Sequence, residues 1–184
     1  MPARSKARKR ALDVLFEAEV RGEPVLTLLD ERIADASPPV SPYAAELVRG
    51  VQAHRDRIDE LLGTYAEDWT LARMAAVDRN ILRIASYELL WAGDVPDGVA
   101  ISEAVALARD LSTDASPAFV NGLLARLQGL KPELADLDPE LTGPEPASPD
   151  PELTGPEPAS PDPELTGPEP AGLDPELTEE QTSG

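Results

Sequence analysis

The chain has 184 residues, one histidine and no cysteine; that is enough for one ordinary domain plus an appendage, and it excludes disulfides, thiolate metal sites and cysteine nucleophiles. No apolar run approaches the roughly 20 residues needed to cross a bilayer, and Asp13, Glu17 and Glu19 interrupt the stretch after the basic N-terminus, so neither a membrane span nor a signal peptide is expected and a cytoplasmic protein is. The net charge of −19 is unevenly spread: residues 131–184 hold 15 acidic residues and one lysine, whereas residues 1–10 hold five basic residues and no acid.

Apolar and small residues recurring three and four positions apart predict helix almost throughout residues 1–130. The first helix spans residues 4–21, with Ala7, Ala11, Val14, Leu15 and Ala18 on one side; Gly22 ends it and Pro24 blocks continuation. The second covers residues 25–36, with Leu28, Leu29 and Ile33 inward, and Pro38-Pro39 stops it. Ser41-Pro42 is an N-cap followed by proline at the first helical position, and it opens a third helix that runs to residue 66. A short helix follows Thr70. The fifth helix runs from Asp78 to Ala92, and its broad apolar face predicts burial on several sides. The sixth covers residues 99–111, and Ser116-Pro117 caps a seventh carrying Phe119, Val120, Leu123, Leu124 and Leu127. Strand signals are lacking, so the fold class is all-α, a bundle of about seven helices.

The helical domain is bounded at residues 1–131. Residues 132–184 are a repeat: Asp-Pro-Glu-Leu-Thr begins at Asp138, Asp150, Asp162 and Asp174, with a period of 12. Each full unit offers one leucine and one alanine among several prolines, and its acids repel. This composition predicts a disordered, partly polyproline II tail that solubilises the chain.

No catalytic constellation emerges, and no metal site or cofactor is expected. His54 lies on the third helix beside Arg55 and Arg57 and reads as a surface histidine. The pairs Asp59-Glu60 and Glu67-Asp68 are sequence neighbours, which do not face one another on a helix, and read as solvated. There is no Gly-rich phosphate loop. The chemistry that is present is the basic arm of Arg4, Lys6, Arg8, Lys9 and Arg10. Exposed charges more than a Debye length of about 8–10 Å apart are largely screened from one another, so such an arm can bind a polyanion on an acidic protein. Arg4 and Arg8 lie four apart and share a face. A cluster of this kind neutralises phosphates without reading sequence, and losing Arg8 is expected to weaken binding to every RNA and reduce its salt dependence. Single-stranded RNA also stacks on aromatic rings and guanidinium planes. Phe16, Tyr65, Arg79 and Arg83 are candidates; by residue type alone the two aromatics read rather as core or core edge and the two arginines as ordinary surface charges.

Four motifs, in order, carry a resemblance to a known family. They are Arg8-Lys9-Arg10-Ala11-Leu12-Asp13-Val14-Leu15-Phe16; Asp78-Arg79-x-Ile81-Leu82-Arg83-Ile84-Ala85-x-Tyr87-Glu88-Leu89; Val95-Pro96-x-x-Val99-Ala100-Ile101-Ser102-Glu103-Ala104-Val105; and Ser116-Pro117-x-Phe119-Val120-Asn121-Gly122-Leu123-Leu124. Over residues 3–130 the chain resembles the Nus factor B (NusB) family of bacterial transcription antitermination proteins. The resemblance implies two three-helix subdomains. It implies binding to the single-stranded boxA element of nascent ribosomal RNA together with Nus factor E (NusE, a small-subunit ribosomal protein), and joining the RNA polymerase elongation complex. Matched position by position, it implies an RNA path along Arg4, Lys6, Arg8, Phe16, Tyr65, Arg79 and Arg83, and a NusE contact near Ala115, Ser116 and Phe119. Ala115 stands where some members carry an acid, and Ser5 interrupts an arginine run seen in others. Asn121-Gly122 is expected to permit close helix packing. Two other readings compete: a non-catalytic protein-binding adaptor, and the helical module that precedes some ribosomal RNA cytosine methyltransferases, whose catalytic unit this chain lacks.

Overall fold

A computed structural model describes residues 3–66 and 70–137, all within one unit, and contains no strand among them. In chain order the elements are α1 (Ala3–Arg21), α2 (Val25–Asp35), α3 (Pro42–Ala53), α4 (Arg55–Tyr65), a 3-10 turn (Leu71–Arg73), α5 (Ala76–Leu90), α6 (Asp97–Leu111) and α7 (Ser116–Leu137).

Two ends that carry strong local signals fall where they are expected, whereas Ser116, expected to cap α7, is the first residue of that helix and its hydroxyl turns to Thr113 and Asp78. Gly22 takes φ +67°, and the Glu23 N–H donates to the Ala18 carbonyl at 3.0 Å, a left-handed closure that suits glycine. The Ser41 hydroxyl accepts from the Ala44 N–H at 3.2 Å, with Pro42 opening α3.

Two elements differ from expectation. The helix anticipated over 42–66 is two helices, α3 and α4, broken at His54 (φ −107°, ψ 15°). The short helix after Thr70 is a single 3-10 turn. His54 carries no breaker chemistry of its own. Its ring stacks on Trp91, with centroids 4.3 Å apart and planes 18° apart, and on Tyr87 at 6.0 Å. This half-buried aromatic stack, made by residues more than 30 positions away, replaces the expected surface histidine.

Helices α1, α2 and α3 pack on one another, as do α5, α6 and α7. Helix α5 also lies along α1 and α3, and α4 leans on α5 and α7. The two three-helix groups therefore meet along α5, and eleven of its fifteen residues are buried. Leu12, Leu28, Leu29, Leu47, Ile58, Leu62, Ile81, Leu82, Ile84, Leu89, Leu90 and Leu124 fill the core. Ile33, expected to face inward, is 41% exposed. Gly50 of α3 lies directly under Tyr87 of α5: a Cβ there would sit 2.1 Å from the ring Cζ.

Helix α7 continues through Pro132 to Leu137. Proline costs it one backbone hydrogen bond, but Leu134 is buried and anchors the last turns. The anticipated boundary at 131/132 therefore falls inside a helix. The repeats beginning at Asp138, and the pair Glu67-Asp68, lie outside the described residues. Among the described residues no helix is long and apolar enough to cross a membrane.

Candidate nucleic-acid interface

Burying almost all of α5 buries its charged residues too, and these must find partners, because an unpaired buried charge is very costly. Arg8 on α1 meets Glu88 on α5. The Arg8 Nε donates to both Glu88 carboxylate oxygens at 3.0 Å, and Nη2 lies 2.8 Å from Oε1. Arg8 Nη1 also lies 3.4 Å from Glu103 on α6. The Tyr43 hydroxyl donates to the same Glu88 carboxylate. Burial, with that hydrogen bond and the Glu88 charge, pushes the Tyr43 phenol well above its ordinary range. Arg8 is 2% exposed. Expected on an RNA-facing arm, its guanidinium here ties α1 to α5 and α6.

Arg79 and Arg83 form a second such centre. Arg83 donates from Nε and Nη2 to the two oxygens of Asp59 at 2.7 and 2.8 Å, a bidentate bridge from α5 to α4. Its Nη1 reaches Asn80 at 3.1 Å and Glu19 at 3.4 Å. Arg79 donates to the carbonyls of Leu71 and Met74 at 2.6 and 3.0 Å, and to Glu19. Burial raises the Glu19 carboxyl, but the hydrogen bonds from Arg79 and Asn80 and the two guanidinium charges overcome it and hold the group below its usual range. These arginines staple α1, α4, the 3-10 turn and α5 together, and Asp59 is one of their partners, not a solvated acid. Arg83, 4% exposed, and Arg79, enclosed by carbonyls and a carboxylate, offer little to RNA in this arrangement.

The rest of the arm is outside. Arg4 is half exposed, with Cζ 4.8 Å from the Tyr43 ring centroid and Nη2 2.6 Å from Asp94. Arg8, one turn on, lies 5.8 Å from the same ring, so the shared face expected of residues four apart is present. Lys6 is exposed and has no partner among the described residues. Lys9 pairs with Asp13 at 3.2 Å, and Arg10 donates to the Pro38 carbonyl at 3.1 Å. Phe16 is exposed on α1, at 38%.

Two grooves meet at Phe119. One, of about 370 Å³, has Tyr65, Gly122 and Arg126 in its wall, and the Arg126 Cζ lies 5.6 Å from the Tyr65 ring centroid. The other, of about 400 Å³, brings Ala115, Ser116 and Phe119 together with Arg73, Met74 and Asp78. Ala115 is exposed and Phe119 half-buried, but Ser116 is 2% exposed. Its hydroxyl donates to Asp78 at 2.7 Å and accepts from the Thr113 N–H at 3.3 Å, joining the starts of α7 and α5. Gly122 permits no close packing: a Cβ there would meet nothing within 4 Å. Sequence reasoning missed Tyr43, Asp94 and Met74; none carries a local signal, since each acquires its place from a distant element. Among the described residues no group of three or more His, Cys, Asp or Glu side chains is placed to hold a metal ion.

A model of the NusB family matches residues 5–129. The transcription antitermination protein NusB of Thermobifida fusca is 60% identical over 133 residues, which cover 72% of this chain and 94% of that protein. NusB of a Nocardioides species is 60% identical over 135 residues, covering 73% and 100%. Among solved structures, NusB of T. maritima aligns with a TM-score of 0.62 at 36% identity, over 70% of this chain and 92% of the other. A crystal structure of the antitermination factors NusB and NusE in complex with dsRNA aligns with a TM-score of 0.60 at 26% identity, over 68% and 96%. The chain belongs to the NusB family of transcription antitermination proteins.

Proposed function

We propose that this chain binds the boxA element of nascent ribosomal RNA together with NusE, and that the assembly joins RNA polymerase in the cytoplasm and suppresses premature termination without catalysing a reaction. The observation that carries this reading is the likeness, over 96% of its length, to a NusB crystallised with NusE and RNA. The surface supports it in two ways. Arg4 and Lys6 present positive charge at the start of α1, with Phe16 further along the same helix. The grooves flanking Phe119 offer an apolar seat for a protein, next to the Tyr65 ring. The RNA path proposed is Arg4, Lys6, Phe16 and Tyr65; the NusE seat is the groove at Ala115 and Phe119. Arg8, Arg79, Arg83 and Ser116 act through the fold.

Reconstituted transcription tests the reading. On a template carrying boxA ahead of a terminator, with RNA polymerase and NusE present, adding this chain increases read-through, and scrambling boxA removes the increase. Read-through that is unaffected by the chain, or equal on both templates, refutes the proposal.

A further inference from the structure

The charges at the start of α1 are not equivalent. Arg8 is buried with Glu88, Lys9 is paired along its own helix with Asp13, and Lys6 stands alone among the described residues. Arg4 is the unusual one. Its guanidinium lies over the Tyr43 ring, 4.8 Å from the centroid, and its Nη2 contacts Asp94 Oδ2 at 2.6 Å. Both partners remain open to solvent, at 50% and 56% side-chain exposure, so a third group can approach and exchange. The backbone at Asp94 is anchored without Arg4. It lies in the connection between α5 and α6, where the next residue, Val95, is 4% exposed and donates its N–H to the Ala92 carbonyl at 3.3 Å. A carboxylate carried by this anchored loop thus stands at the edge of a guanidinium that packs over a tyrosine ring.

We propose that Asp94 is a built-in competitor for RNA at Arg4: a phosphate reaches this guanidinium only by displacing the loop carboxylate. The inference rests on the RNA-binding reading above. It has a consequence that a simple basic arm lacks. Each single-strand phosphate neutralised by a protein cation steepens the fall of log K with log salt by about 0.7. Wherever Asp94 keeps Arg4, the phosphate opposite is not neutralised and adds nothing to that slope. Arg4 then takes only a phosphate placed well enough to outcompete the carboxylate, which leaves Lys6, and Arg10 against the neutral Pro38 carbonyl, as the long-range electrostatic groups of the arm.

The test is a salt series of binding titrations with labelled single-stranded boxA RNA in the presence of NusE, comparing the full chain with Asp94→Asn. Asp94→Asn is expected to bind about 2–5-fold more tightly at low salt, the equivalent of one exposed ion pair, and to steepen the slope by about 0.7. Asp94→Glu keeps the charge and retains the original slope. In an Arg4→Ala background, Asp94→Asn no longer steepens the slope. Equal affinity and slope for the full chain and Asp94→Asn, or a steepening that persists without Arg4, overturns the proposal. Absence of RNA binding by both proteins overturns the RNA-binding reading itself, and the proposal with it; a thermal melt identical to that of the full chain shows that Asp94→Asn is folded.

Discussion

At the scale of residues, the four arginines placed on the RNA path by family resemblance divide into two kinds. Arg4 is at the surface; Arg8, Arg79 and Arg83 hold helices together through Glu88, Glu19 and Asp59. A sequence shows that an arginine is present and on which face of a helix, but not whether an acid on another helix meets it. Arg8→Ala leaves Glu88 buried without its cation, so it should destabilise the fold by about 3–5 kcal/mol. Chemical denaturation checks this; a variant of unchanged stability that binds RNA weakly would restore Arg8 to the RNA path. The acids give a pH dependence of definite sign. A hydrogen bond from Arg32 holds Glu17 below the usual carboxylate range, and Glu19 is held low against its own burial by Arg79 and Asn80. Unfolded glutamates titrate near about pH 4.3. Folding is therefore fully supported by these groups above that value and loses their support as pH falls through the lowered folded values. Urea midpoints should fall on acidification below about pH 4, and Glu19→Gln, less stable at neutral pH, should lose less on the same acidification.

At the scale of elements, the chain's punctuation was legible wherever it is local. Gly22, Ser41 and Pro42 set helix ends through their own backbone chemistry, and the apolar face of α5 announced its burial. The break at His54 was not legible, because no residue there forbids a helix and the stack with Trp91 and Tyr87 that accompanies it is made by distant residues. The boundary expected at 131/132 falls inside α7, since buried Leu134 carries the helix past Pro132. The contact of α3 with α5 is equally a long-range matter. Gly50 leaves room for the Tyr87 ring, so Gly50→Ala, which would ordinarily favour a helix by about 1 kcal/mol, should instead destabilise by about 1–3 kcal/mol through overpacking. A thermal melt that rises for this variant would show that the ring moves aside freely.

At the scale of the molecule, the all-helical class, the order of the motifs and the grouping of helices were within reach of the sequence; the site was only partly so. Phe119, Ala115 and Tyr65 do converge, on two grooves that meet at Phe119, whereas Ser116 turns inward to Asp78. The length of α7 also has a measurable consequence. A chain ending after Leu137 should unfold at nearly the same denaturant midpoint as the full chain, since each repeat beyond it offers only one or two leucines among prolines. Ending instead after Lys131 removes buried Leu134 and should cost about 1.5–3 kcal/mol. Equal stability of the two truncations would contradict the role given to the last turns of α7.

The most direct measurement of the central claim is a titration of labelled boxA RNA, and of a scrambled RNA of equal length, with this chain, alone and with NusE, at two salt concentrations. The account predicts a preference for boxA that sharpens when NusE is added and weakens when Lys6 or Phe16 is replaced by alanine. Equal, salt-sensitive binding to both RNAs, indifferent to NusE, would contradict it and reduce the start of α1 to a nonspecific polyanion site on a protein-binding adaptor.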